Sequence, residues 1–143
     1  MRNAVMLLLL VVNAGRASAT TSDRTVALAW ELLADARYGS DPKEHAAFIV
    51  ADASGELRLA RWPWAAETKR ATYRGNMPRG AVAIVHTHPN HLPTPSPNDV
   101  AVARKLGMPV YVITRTSVMR TDGSGSAYVA QGDWNPDRER ARP

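Results

Sequence analysis

The chain contains no cysteine, a single phenylalanine and no apolar run of membrane-spanning length. The first absence excludes thiolate metal ligands, a cysteine nucleophile, a CxxC redox pair and a lipidated cysteine. Any metal held by this protein therefore sits on His, Asp or Glu. The longest unbroken apolar stretch, Ala4 to Val12, is nine residues, whereas a bilayer span needs about 20. A block of basic residues is missing too. The net charge of +5 comes from arginines that occur singly between Arg24 and Arg120, the closest pairs being Lys69-Arg70 and Arg104-Lys105. Only Arg138, Arg140 and Arg142 are locally dense, so no nucleic-acid partner is expected.

What is present fits one compact domain of 143 residues preceded by an address label. Arg2 gives a positive start, the Leu7 to Leu10 block an apolar middle, and Ala17-Ser18-Ala19 a small-residue cleavage pattern. Residues 1–19 are expected to be a signal peptide cleaved after Ala19, 20–131 the folded domain, and 132–143 a flexible, charged tail. The mature protein is then secreted or periplasmic, without a membrane span, and the loss of Arg2 and Arg16 removes part of the basicity. A domain of this size can bury a sufficient core without disulfides.

Ser22-Asp23 followed by Val26, Trp30 and Leu33, with Gly39 as a stop, predicts an amphipathic helix. The period then changes. His45 to Ala51 reads as a buried strand, Asp52-Ala53-Ser54-Gly55 as a turn and Glu56 to Trp62 as the second arm of a hairpin. Pro63 to Arg79 lacks periodicity and reads as a long connection whose Trp64 and Tyr73, with Trp62 before them, could line a groove. Ala81 to Val85 is a short strand ending at His86. A helix starts near Pro97 and stops at Gly107-Met108-Pro109, and Val110 to Ile113, Ser117 to Arg120 and Ala127 to Ala130 complete the strands. The pattern predicts an α+β fold, a mixed sandwich with one central sheet and two helices.

The chemistry concentrates between His86 and Asp99. Residues two apart on an extended strand point to the same side, so His86 and His88 can aim two imidazoles at one point. Imidazole binds zinc, and a catalytic zinc site uses three protein ligands with a fourth position for water. A proline-rich excursion that ends with Asp99 in the first turn of a helix brings back a third ligand. Ser96-Pro97-Asn98-Asp99 also has a plainer reading as a helix start, with Ser96 as cap, proline in the first turn and Asp99 at the positive end of the dipole. The two roles are compatible. His45 reads as a partly buried packing or hydrogen-bonding residue, and His91 as a solvated loop histidine.

The run His86-Thr87-His88-Pro89, with seven residues between His88 and Ser96 and two between Ser96 and Asp99, resembles the signature of the JAMM (MPN-type) zinc metalloproteases. The chain is similar to a small, secreted, bacterial JAB-like member. The resemblance implies a central mixed sheet flanked by two helices and one Zn²⁺ per chain on His86, His88 and Asp99. It also implies a general-base glutamate ahead of a small residue and an apolar strand, which Glu44 before His45-Ala46-Ala47-Phe48 supplies, and a hydrogen bond from Ser96 to the developing oxyanion. The implied activity is cleavage of a peptide or isopeptide bond in a protein, a peptide or cell-wall peptide material. The alternatives are a non-catalytic binding or regulatory module, or a toxin-type domain, that keeps the metal site.

Overall fold

The computed structural model describes residues 21–63 and 71–134. The expected signal segment, Trp64 and residues 135–143 of the expected tail lie outside them. Helix α1 spans Thr21–Asp35. Thr25, Leu28, Ala29, Leu32, Leu33 and Ala36 are all buried, and their three- and four-residue spacing makes one stripe toward the sheet. Val26 and Trp30, which the sequence suggested for that stripe with Leu33, flank it and are only half-buried. The helix also ends before Gly39. Arg37, Tyr38 and Gly39 have φ of 50°, 55° and 84°, and the Ala36 carbonyl accepts from the N–H groups of both Gly39 and Asp41. The chain is thereby turned sharply back toward the sheet.

The strands are β1 (Ala46–Ala51), β2 (Leu57–Arg61), β3 (Ala81–Thr87), β4 (Val110–Ile113), β5 (Ser117–Thr121) and β6 (Ser126–Gln131), with α2 (Pro97–Leu106) between β3 and β4. They form one sheet in the order β2-β1-β3-β4-β5-β6. Only β3 and β4 run parallel, because α2 carries the chain back between them. This is the mixed α+β sheet with two helices that the sequence led us to expect. No strand appears among the described residues of the long connection, and no described helix is long and apolar enough to cross a membrane.

Alternation along the central strands separates two cores. Ala47, Ile49, Ala83 and Val85 join Leu28, Leu32 and Leu33 beneath α1. Phe48, Val50, Ile84 and Val110 join Ala103 beneath α2. Both faces are covered, so β3 is buried continuously from Ala83 to Thr87. The β1–β2 turn is closed by Asp52 Oδ1, which accepts the N–H groups of Ser54 and Glu56. The β5–β6 turn presses on α2 instead. A Cβ on Gly123 (φ 91°) would lie 2.8 Å from Arg104 N, and Arg104 Nη2 donates to the Gly123 carbonyl at 2.7 Å. Beyond β6, the Gly132 and Trp134 N–H groups donate to the Thr116 and Arg115 carbonyls. Trp134 packs edge-on against Trp30, with ring centroids 4.7 Å apart.

On the surface, Arg61 bridges β2 to α1 through Glu31 at 2.6 Å and Asp35 at 2.5 Å, all three side chains being at least 36% exposed. The core and this bridge should respond very differently to truncation. Leu33→Ala, at a site with 0% exposure, is expected to cost about 2–5 kcal/mol. Arg61→Ala is expected to cost less than about 1 kcal/mol, since exposed ion pairs are screened by water. Urea denaturation of the two variants measures both.

Candidate metal centre

Strand parity decides which side chains can meet. Ile84 of β3 faces α2, and His86, two residues on, faces the same way. His88 lies just past the end of β3, but its N–H donates to the Ile113 carbonyl at 3.1 Å, so the extended pairing continues. The two imidazoles stand edge to face with centroids 4.9 Å apart. Across the antiparallel pair, Ala46 is directly opposite His86. Pairing runs on beyond β1 as well: Thr87 N–H donates to the His45 carbonyl and His45 N–H to Thr87 Oγ1, both at 2.9 Å. Glu44 consequently falls opposite His88, and the small Ala46 leaves room beside His86. Ligand atoms of Glu44, His86 and His88 all lie within 4.8 Å of one another, a His-His-Glu group close enough to hold a metal ion.

Asp99 arrives from the helix. Asp99 and Ala103, four apart, are the buried residues of α2. Ala103 has no surface exposure and lets the helix settle on the Phe48, Val50, Ile84 and Val110 core. One turn earlier on that face, Asp99 is delivered to the histidines. Its Oδ1 is 2.8 Å from His86 Nε2, and its Oδ2 is 3.9 Å from His88 Nε2. The helix start proposed from sequence is also present: Ser96 N–H and O–H donate to Asp99 Oδ2 at 2.7 and 2.8 Å, and Asp99 N–H donates back to Ser96 Oγ at 3.2 Å. Oδ2 completes a capping box while Oδ1 faces the imidazole. The single hydroxyl proton of Ser96 is engaged with Asp99 in this arrangement.

Protonation follows from these contacts. Burial pushes the Asp99 carboxyl up, but the His86 bond and charge, then the Ser96 bonds, outweigh it and hold the group at about 2. Burial opposes charge on His86, yet Asp99 beside it, aided by Glu44, raises its pKa above the ordinary 6.5. His88 is set differently. Its Nδ1–H donates to the Leu92 carbonyl at 2.7 Å, and a carbonyl can only accept, so the tautomer leaves a lone pair on Nε2, the nitrogen that faces Asp99. On Glu44, Oε2 accepts the Ala71 N–H at 2.9 Å.

These residues suit a divalent cation. His86 Nδ1 is buried with no hydrogen-bond partner, and its Nε2 meets only a carboxylate. The two imidazoles thus have a carboxylate on either side, Glu44 within the 4.8 Å group and Asp99 against His86 and His88, in a partly dry site where a positive charge is favoured. The donor set, nitrogen and oxygen without sulfur, accepts zinc.

All four groups border a cavity of about 280 Å³ that is lined on one side by α2 and on the other by Trp62 and Ala71. Trp62 and Ala71 form one wall, Asn98, Asp99 and Val102 the other, and Ala46, Ile84 and Val110 the floor. Tyr73 supports the first wall from behind, its ring 5.2 Å from Trp62 and 4.8 Å from Phe48. His45 pairs with Asp41 at 2.9 Å, and His91 is exposed at a φ of 61° in the proline loop. Neither belongs to the metal-capable group. Sequence reading missed Ala71, Val102 and Val110. Val102 and Val110 carry a weak signal, as apolar residues one turn past Asp99 and at the start of the neighbouring strand, but Ala71 contributes a backbone N–H and carries none.

The chain matches the family model described as prokaryotic homologs of the JAB domain over residues 25–127. No curated protein matches it, and no solved structure does.

The His86–Asp99 contact gives the metal-free protein a defined pH response. With its folded pKa raised, His86 contributes stability that is complete below 6.5 and lost as pH rises through the higher folded value. In excess chelator, the melting temperature should therefore fall as pH increases from 6.5. Asp99→Asn should be less stable at pH 6 and show a flatter profile. At the acid end the sign reverses, and Asp99's contribution disappears as pH falls from 3.8 through about 2.

Proposed function

Since the chain belongs to the family of prokaryotic JAB-domain homologs, we propose that it is a zinc-dependent hydrolase of the JAMM type, cleaving a peptide or isopeptide bond with an activated water. The observation that carries this reading is the convergence of Glu44, His86 and His88 within 4.8 Å, with Asp99 Oδ1 against His86, at the edge of a cavity. His86, His88 and Asp99 would hold one Zn²⁺. When bound, zinc supplies Lewis acidity, polarising a carbonyl and bringing the pKa of a water toward 7.

The chain's own groups perform the remaining steps. Glu44 accepts the proton of the attacking water and returns it to the leaving nitrogen. Its place opposite His88 puts the carboxylate beside the reacting centre, and the Ala71 N–H on Oε2 leaves Oε1 to take the proton. Ser96 can donate to the oxygen that becomes negative if its O–H turns from Asp99 Oδ2. That rotation costs one hydrogen bond, leaves the Asp99 N–H on Ser96 Oγ, and gains an aimed donor worth about 3 kcal/mol in such sites. His88, with its tautomer fixed by Leu92, keeps its geometry throughout.

The substrate is a protein, a peptide or cell-wall peptide material outside the cytoplasm. The features that support export are Arg2, the apolar run to Val12 and Ala17-Ser18-Ala19. A second reading, a metal-holding module without turnover, is favoured by the engagement of both proton-handling groups, Ser96 with Asp99 and Glu44 with Ala71.

Zinc content and peptidase activity separate the two readings. Wild type is expected to carry about one zinc per chain, Glu44→Gln to keep the zinc while losing at least about 100-fold in kcat, and His88→Ala to lose both. Equal inactivity of wild type and Glu44→Gln, each with zinc bound, would favour the non-catalytic module. Folded wild type that takes up no zinc would overturn the assignment. The exported protein is expected to begin at Thr20, which N-terminal sequencing reads directly.

A further inference from the structure

The metal-capable group and its neighbours Ser96 and Asn98 are the polar part of the cavity lining, and the rest is apolar. Ala46, Ile84, Val102 and Val110 are aliphatic, Ala71 is small, and Trp62 presents an aromatic ring. Among the described residues, the charged or titratable ones in the lining are Glu44, His86, His88 and Asp99 themselves; no lysine or arginine is present. Away from the metal-capable end, a substrate carboxylate or ammonium would lose water against apolar side chains, with no described side chain of opposite charge in that part of the lining to pair with it.

The walls are preformed. Ile84 and Val110 are almost fully buried in the core below α2, and Val102 packs against the same core. Trp62 is braced by Phe48 at 5.3 Å and Tyr73 at 5.2 Å. Tyr73 is itself tied down by its O–H to the Asn76 carbonyl at 2.8 Å. A volume of about 280 Å³ lies just under the usual range for small-molecule sites. Shared with the metal-capable end, it leaves room for one side chain of modest size.

We propose that this cavity is a specificity subsite that seats an uncharged aliphatic side chain, of about valine or leucine size, next to the scissile bond, and rejects acidic and basic residues there. The proposal rests on the zinc-hydrolase reading. It narrows the substrate class to chains with an aliphatic residue beside the cleaved amide.

Hydroxamates, which anchor on a metal independently of turnover, provide the test. Affinities of N-acetyl-leucine, N-acetyl-glycine, N-acetyl-aspartate and N-acetyl-lysine hydroxamates, and of acetohydroxamate, are measured calorimetrically on zinc-loaded protein. The leucine compound is expected to bind about 10- to 100-fold tighter than the glycine compound, the gain from burying one aliphatic side chain, with the aspartate and lysine compounds no tighter than glycine. In Val102→Lys the aspartate compound should gain on the leucine one. Val102→Phe, which fills the space without adding charge, should abolish the leucine preference while acetohydroxamate binds as before. Similar affinities for all side chains on wild type, or a leucine preference unchanged in both folded variants, would overturn the subsite and leave the metal reading standing. Failure of every compound, acetohydroxamate included, would overturn the metal reading and the subsite with it.

Discussion

Asp99 divides its two carboxylate oxygens between a helix and a histidine. Oδ2 receives the N–H and O–H of Ser96 and so closes the first turn of α2, while Oδ1 stands 2.8 Å from His86 Nε2. The group is buried and held at about 2, so it is charged near neutral pH. That fixed negative charge can be tolerated only where cations or protons are supplied to it. His86 supplies one now through its raised pKa, and a divalent metal would do so more completely. Helix start, the end of a central strand and the metal-capable group therefore form one electrostatic unit.

Much of this unit was legible in the sequence because its determinants are local. Two residues along a strand face the same way, which paired His86 with His88; a serine three residues before an acid, with proline between, marks a helix start, which placed Asp99. Glu44 was implied by the resemblance to the JAMM family, through its context before an apolar strand, and the register of β1 on β3 explains why that context works: Ala46 pairs with His86, so a residue two earlier falls beside His88. The ladder converts a distance in sequence into a distance in space.

What sequence could not reveal depends on contacts made across layers. The cavity arises where α2 meets Trp62 and Ala71 above the sheet; the aromatic residues suggested a groove from sequence, but nothing in Ala71, Val102 or Val110 individually announces that meeting. The engagement of the Ser96 hydroxyl with Asp99 is a choice among hydrogen-bond geometries that motif spacing does not constrain. The early end of α1 has the same origin. Arg37 and Tyr38 adopt positive φ although neither residue favours it, and Ala36 joins the core instead of continuing an exposed turn. Tertiary packing overrode the local stop signal at Gly39.

The contact between Gly123 and Arg104 bears on Asp99, five residues back along the same helix. With hydrogen in place of a side chain, the β5–β6 turn reaches the backbone of α2 one turn beyond Asp99's immediate neighbours, and the Arg104 guanidinium clasps the same turn. The hairpin acts as a depth stop for the helix. A methyl group there would lever α2 outward, and because Asp99 rides on the same rigid rod, the reach of its carboxylate toward His86 would change by a comparable fraction of an ångström to that required at the turn. The dimensional tolerance of the metal-capable group is thus set partly by a glycine that touches none of its members.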